Sequence, residues 1–361
     1  MFRLFGRKLI EKPAFLVHTP EIANHFAPIW DALGTQPFDV LMYGSATLPT
    51  DMSADRWPMR IRHVSEVIST RQRYDVLISN HIIELAFGKG RRKKPLINRL
   101  GRTNLRMMYA AGKTGWNLSD WNSLYDGVLC FGPYHAEAFT KKFDVSVFQM
   151  GYPRFDRYFD DPPAMDALRR QMGCDPAKPT IVWLPTWRHL SSVGHFNAEI
   201  SALKDEFNVV VKVHPLMPKD EPERVAALSG LGFNAVIVDS SDNLPLYQLA
   251  DYMLFDYGGP PFAGIYTNKR FVLLNVPDAD KDELTGPDSP DLMLRNEFAN
   301  VDAGADGIRP LLREGAHWED HQIASDRLRA QYFAPRFGTS AKAAAEAIMD
   351  RKWIQPKRKQ Q

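Results

Sequence analysis

Cysteine is scarce. Cys130 and Cys174 are the only two in 361 residues, too few for a disulfide framework, and this usage fits a reducing compartment. Long hydrophobic runs are missing too: none approaches the roughly 20 apolar residues that cross a bilayer. Charge of one sign is not in excess. The 45 Lys plus Arg stand against 43 Asp plus Glu, a formal +2, which argues against a wholesale nucleic-acid binder. Metal-ligand spacings are lacking, since the histidines are scattered and neither cysteine has a partner at ligand distance. There is no His-Glu-x-x-His and no Gly-x-Ser-x-Gly. Gly112-Lys113-Thr114-Gly115 resembles a phosphate loop only superficially, because the upstream glycine is absent. No metal and no cofactor are expected. The start, MFRLFGRKLIEKP, has bases and short apolar pairs but no apolar h-region, so it does not read as a secretory leader. It reads as a frayed basic terminus, or as a short amphipathic foot on an anionic membrane.

What is present is ordinary globular composition, 44% hydrophobic and 24% charged, in a length that suggests two domains. Largely apolar runs without clean alternation recur at 14–18, 38–44, 74–80, 105–110, 125–132 and 146–151. They recur again at 180–185, 207–215, 233–239, 251–257 and 270–275. Helix-like segments lie between many of them. Buried parallel strands have this pattern, because helices cover both faces. A proline-rich break at 161–180 reads as the connection between halves. The expected organisation is an N-terminal Rossmann-like domain over 1–159, a C-terminal Rossmann-like domain over 160–337, a terminal helix over 338–352 and a basic tail over 353–361. In this α/β arrangement, two parallel-sheet domains face a central cleft, and ligands gather at the carboxyl ends of the strands.

Four strand ends carry chemistry. Lys212 and His214 are two residues apart on a strand and so share a face, which suits a phosphate or diphosphate; the alternative is a packed histidine with a solvated lysine. Arg188, in Pro185-Thr186-Trp187-Arg188-His189, offers a rigid charged fork, with Thr186 as a second donor and Trp187 packed beneath the loop. Asp256 precedes Gly258 and Gly259, which let backbone approach a ligand, while the following helix N-terminus favours an anion; the alternative is a plain tight turn. Arg154, in Gly151-Tyr152-Pro153-Arg154-Phe155-Asp156, either reaches into the cleft or pairs with Asp156. The segment 89–113 holds Lys89, Arg91, Arg92, Lys93, Lys94, Arg99, Arg102, Arg106 and Lys113 with no acid among them. One-sided charge of this density attracts polyanions or anionic lipid, and a solvated loop is the bland alternative.

Taken together, Pro185-Thr186-Trp187-Arg188, Lys212-Val213-His214-Pro215, Leu249-Ala250-Asp251 with Phe255-Asp256-Tyr257, and the 151–156 segment resemble the CDP-glycerol glycerophosphotransferase family of teichoic-acid-type polymerases and primases. The order and spacing match over about 125–275. The resemblance implies a GT-B fold and transfer of a polyol phosphate from a CDP-activated donor to a hydroxyl of a lipid-linked or polymeric acceptor. Family members work at the cytoplasmic membrane face, which implies a cytoplasmic or peripheral location and no specific nucleic-acid partner. It further implies that His214 contacts donor phosphates, with Lys212 and Arg188 supporting charge. Asp256 with its turn at Gly258 and Gly259, Thr186, Arg154 and Lys113 would hold the donor.

Three departures from the family pattern stand out. The position of the family's proposed base, a histidine before glycine, is Ala110 or Ala111 here, followed by Gly112-Lys113. His81 and His135 are the strand-adjacent substitutes. Gly258 and Gly259 replace the family's paired serines. The acidic stretch 277–291 lacks the family's aromatic and arginine pattern. The readings left open are a nucleotide-sugar glycosyltransferase on the same scaffold and a catalytically impaired subunit of an envelope-polymer complex.

Overall fold

The computed structural model describes residues 8–85, 94–160, 165–283, 285–286, 288–313, 315 and 317–356. Lys89, Arg91, Arg92 and Lys93 of the basic segment lie outside the described residues, as do part of the proline-rich connection and the end of the basic tail. The chain forms two units. Unit 1 is Met1–Tyr109 with Leu118–Asp156 and Phe333–Gln361; unit 2 is Ala110–Asn117 with Arg157–Tyr332.

In unit 1 the strands are β1 (Lys8–Val17), β2 (Phe38–Met42), β3 (Met59–His63), β4 (Gln72–Ser79), a short antiparallel pair β5 (Glu84–Leu85) and β6 (Lys94–Pro95), then β7 (Gly101–Met107), β8 (Gly127–Cys130) and β9 (Ser146–Gln149). The seven long ones form one sheet in the order β3-β2-β1-β4-β7-β8-β9, with every pairing parallel. Strand order reverses between β1 and β4. Ala14, Leu16, Leu41 and Leu77 pack into one core with Val64, Val67 and Tyr125. The helix Pro20–Leu33 starts with proline in its first turn, where an amide would have no partner, and buries Phe26, Ile29 and Trp30. It packs on the C-terminal helix Ser340–Met349.

In unit 2 the strands are β10 (Thr180–Leu184), β11 (Asn208–Lys212), β12 (Ala235–Ile237), β13 (Tyr252–Phe255), β14 (Arg270–Asn275) and β15 (Asn300–Asp302). Their order, β12-β11-β10-β13-β14-β15, again reverses beside the first strand, between β10 and β13. All pairings are parallel, in register Val182↔Val210 and Val182↔Met253. The residues of β10 and β11 are buried throughout. Burial on both faces explains the apolar runs 181–184 and 209–211 that make up most of them. Trp183, Val209, Val211, Leu254 and Val272 form the center of its core.

Sequence reading missed β3, β15 and the helix His317–Tyr332. The strand β3 is an edge strand, MRIRH, whose charged residues mask its strand character; Arg62 is nonetheless buried and bonded to Glu66, Tyr74 and Gln72. Among the described residues no helix is long and apolar enough to cross a membrane, and no three His, Cys, Asp or Glu are grouped to hold a metal ion.

Candidate functional site

The carboxyl ends of β10 and β13 flank the reversal of strand order in unit 2, the place where open α/β sheets bind ligands. Just beyond β10 the chain turns through Pro185 and Thr186 to Trp187 and Arg188. Asp256, one residue past β13, holds this turn at both ends. Its carboxylate accepts from the Thr186 amide (2.8 and 3.0 Å), the Ser192 amide (2.8 Å), the Ser192 hydroxyl (2.8 Å) and the Tyr257 amide (2.7 Å). The indole of Trp183 donates to the Ser192 hydroxyl at 3.0 Å and ties the loop to the core. Burial pushes the Asp256 carboxyl up to about 6 against the pull of these donors. Asp256 was expected to cap the helix or hold a donor hydroxyl. Instead its oxygens are taken up by the loop, because it is fully enclosed under it.

Arg188 adopts a left-handed backbone, φ 59°. That conformation costs a side-chain-bearing residue on the order of 1 kcal/mol. A pair of neighbours holds it: the Arg188 amide donates to Glu221 Oε2 (2.7 Å), and Arg224, itself bonded to Glu221, donates to the Arg188 carbonyl (2.8 Å). The exposed Arg188 guanidinium lies over the Trp187 ring at 4.0 Å. That same ring stacks on the imidazole of His214, with centroids 5.1 Å apart and planes within 4°. Trp187 was expected to pack beneath the loop; it is half-buried against the unit 2 core and also joins Arg188 to His214. The backbone amide of Leu216 donates to His214 Nδ1 at 3.2 Å. In the neutral ring the proton therefore sits on Nε2, making that nitrogen a hydrogen-bond donor.

Lys212 ends β11 and is buried. Its ammonium donates to Asp239 Oδ1 (3.0 Å), the Asp239 carbonyl (3.2 Å) and the Ser241 hydroxyl (2.8 Å). These bonds from Ser241 and Lys212 lower the Asp239 carboxyl despite desolvation. Lys212 therefore secures the segment after β12.

The Gly258-Gly259 turn differs from expectation. Gly258, at φ 100°, donates its amide to Asp291 Oδ2 at 3.1 Å, and Pro260 and Pro261 supply no N–H at the start of helix Pro260–Thr267. Two of the four amides that would greet an anion are absent, and a carboxylate occupies a third group nearby. Lys113 belongs to unit 2 and lies 3.6 Å from Asp282, which also meets His189 Nε2 at 2.9 Å. Bonds from Thr285 and the charge of Lys113 lower the Asp282 carboxyl, against its desolvation.

Arg154 belongs to the other unit. It is buried in unit 1, 3.0 Å from His25 Nε2. Asp156, its suggested partner, accepts the Ala341 amide at 2.6 Å. His81 and His135 also lie in unit 1, His135 buried within a helix. Sequence reasoning missed Asp291, Asp282 and Arg295. The last donates to the carbonyls of Asp256 and Asp291 and covers the Tyr257 ring at 3.7 Å.

A profile of the family described as CDP-glycerol:poly(glycerophosphate) glycerophosphotransferase matches residues 72–281, more than half of the chain. The chain belongs to this family. Every landmark of the resemblance falls in that span, whereas Asp282 and Asp291 lie just beyond it. No curated protein sequence matches the chain. Among solved structures, the wall teichoic acid polymerase TagF soaked with CDPG aligns at TM-score 0.66 and 15% identity, over 95% of this chain and 88% of that one. UDP-GlcNAc 2-epimerase from Neisseria meningitidis bound to UDP-GlcNAc aligns at 0.52 and 13%, over 94% and 99%. Anabaena HepE in complex with UDP-glucose aligns at 0.51 and 12%, over 94% and 96%. At these identities the likeness carries the fold, which is GT-B, and the family makes this glycerophosphotransferase relative a transferase of that type.

Proposed function

We propose that this chain moves a polyol phosphate, of the glycerol phosphate kind, from a CDP-activated donor to a hydroxyl of a lipid-linked or polymeric envelope acceptor, releasing CMP. The supporting observation is the contact of Trp187 with both Arg188 and His214 at the carboxyl edge of the unit 2 sheet. In-line attack on the β-phosphorus forms one P–O bond and breaks the bridge to CMP, so negative charge grows on the departing phosphate. His214 Nε2–H and the Arg188 guanidinium are preorganised donors for that charge. Thr186 offers a hydroxyl at the same turn. Lys212 and Asp256 act through the segments they hold, and Lys113 through Asp282.

Calorimetry with CDP-glycerol, CDP-ribitol and a set of UDP-, GDP- and CMP-sugars tests the reading. Selective binding of a CDP-polyol is expected. Selective binding of a nucleotide sugar moves the assignment to glycosyl transfer, a reading favoured by the glycines at 258 and 259, which present no hydroxyl to a polyol donor. Binding of none favours a non-catalytic envelope-assembly subunit. The site of action in this reading is the cytoplasmic face of the membrane. Neutralising Arg91, Arg92, Lys93 and Lys94 together is expected to weaken sedimentation with anionic vesicles, most at low salt; unchanged association would remove the membrane partner.

A further inference from the structure

Transfer to a hydroxyl releases a proton, and the alanines at 110 and 111 cannot take it. Most acids and imidazoles at the carboxyl edge of unit 2 are committed. Asp256 is filled by the amides and hydroxyl of its loop. Asp239 is held by Lys212 and Ser241. Asp282 is held by Thr285, His189 and Lys113. His214 Nδ1 already accepts the Leu216 amide.

Asp291 is different. It is 1% exposed; Oδ2 accepts the Gly258 amide, while Oδ1 is buried with no hydrogen-bond partner among the described residues. An unpaired carboxylate oxygen in such a place is costly unless a donor visits it. Its neighbour is the stretch where the resemblance would put a histidine. The Gly112 carbonyl accepts from the Asp291 amide (3.2 Å) and the Ser289 hydroxyl (2.5 Å), and Ser289 Oγ accepts the Thr114 amide (2.9 Å). A Cβ at 112 would stand 1.7 Å from Asp291 Oδ1, so only glycine leaves room for this carboxyl.

We infer that Asp291 is the group that accepts the acceptor hydroxyl's proton in the transfer proposed above, a reading on which this inference rests. The O–H bond of the acceptor breaks to Asp291 Oδ1 as its oxygen bonds to the β-phosphorus; the phosphorus–oxygen bond to CMP breaks, and the proton later leaves to solvent. Facing the carboxyl are Lys113 from the 110–117 segment, Arg295 from the turn at 294–296, and Asp256 with the Gly258 amide from the end of β13. The two cations and the amide favour the ionised form, Asp256 and burial oppose it, and burial prevails, pushing the group up to about 6. That places it where a general base works well near neutral pH.

The test uses the full chain, CDP-glycerol and a glycerol phosphate oligomer, with CMP release followed across the pH range and donor binding measured separately. Asp291→Asn retains an oxygen for the Gly258 amide, so donor binding is expected to persist. CMP release should fall by about 100-fold, and its acid limb should vanish. In carboxyl-labelled NMR of the full chain, the resonance missing from Asp291→Asn should titrate near 6. Near-normal turnover by the variant, an intact acid limb, or titration in the ordinary carboxylate range overturns the inference and leaves the donor assignment standing. A wild-type chain that binds no CDP-glycerol overturns both.

Discussion

The two sheets reverse strand order at equivalent places, between β1 and β4 in unit 1 and between β10 and β13 in unit 2, yet the side chains there are opposite in character. Unit 1 ends these strands in His18 and His81, ring centroids 6.4 Å apart, with His81 edge-on to Trp121 and the buried Arg106 over the same indole at 4.5 Å. Burial, aided by His81, lowers His18 to about 4, and burial with Arg106 lowers His81. His25, enclosed beside Arg154, is held well below its usual value. Unit 2 exposes a guanidinium against Trp187 and buries two carboxyls pushed up to about 6. One edge keeps its histidines uncharged beside the buried Arg106; the other displays an exposed guanidinium and raises two of its buried acids, Asp256 and Asp291. Equivalent topology supplies the crevice, and charge placement decides which crevice suits a phosphate.

The sharpest way to break this contrast is His214→Ala. Removing one preorganised donor should cut CMP release on the order of 100- to 1,000-fold with an unchanged thermal melt; full activity would take the phosphate role away from this edge. Next, Asp256→Ala deletes the anchor of the 186–192 loop and strands several buried donors. We expect about 3 kcal/mol lost in urea unfolding, together with weaker donor binding. If binding survives that loss, the loop does not position the donor.

A smaller effect concerns acidity. Between about pH 4 and 6.5 the lowered histidines bind fewer protons in the native chain than in the unfolded one, so they remove stability as pH falls. Asp256 and Asp291, raised from 3.8 to about 6, bind more protons in the native chain over the lower part of that window. They add stability on acidification and lose it as pH rises through 6. Asp256→Asn and Asp291→Asn should therefore steepen the loss of stability from pH 6 down to 4, whereas His18→Gln should flatten it. Opposite slopes would show that the contrast between edges is misassigned. Smallest of all, Trp187→Ala should weaken donor binding by about fivefold, the worth of one exposed ring contact to a cation.

How far the sequence was legible follows from what each element must satisfy. The strands TIVWL and NVVVK are buried on both faces and carry polar residues only at their ends, each hydrogen-bonded, so their apolar centres were plain. Short β15 and the charged edge strand β3 satisfy a weaker demand and left little trace. Lys212, His214 and Arg188 were visible because strand ends of this order resemble the family. The profile's stop at 281 shows where that signal ends. Asp291 was not legible: it meets Gly112 from far along the chain, and only folded geometry reveals the missing side chain at 112 as room for a carboxyl. Arg154 was read as reaching into a cleft or pairing with Asp156, and its contact with His25 was not foreseen. Its motif told of a charged residue near a strand end, not that His25 would enclose it.

The division of the chain between the units bears on how it is made. Residues 110–117 belong to unit 2 although the flanking stretches belong to unit 1, and unit 1 is completed by residues from Phe333 onward. The helix Pro20–Leu33 thus emerges from the ribosome more than 300 residues before its packing partner Ser340–Met349. Phe26 and Trp30 pack on Phe15 and Phe38 of the adjoining strands, so that side of the helix finds its partners early, while the side that meets Ser340–Met349 waits for the C-terminal helix. Neither unit can be cut out as one continuous piece, and a truncation that removes the helix Ser340–Met349 uncovers the helix Pro20–Leu33.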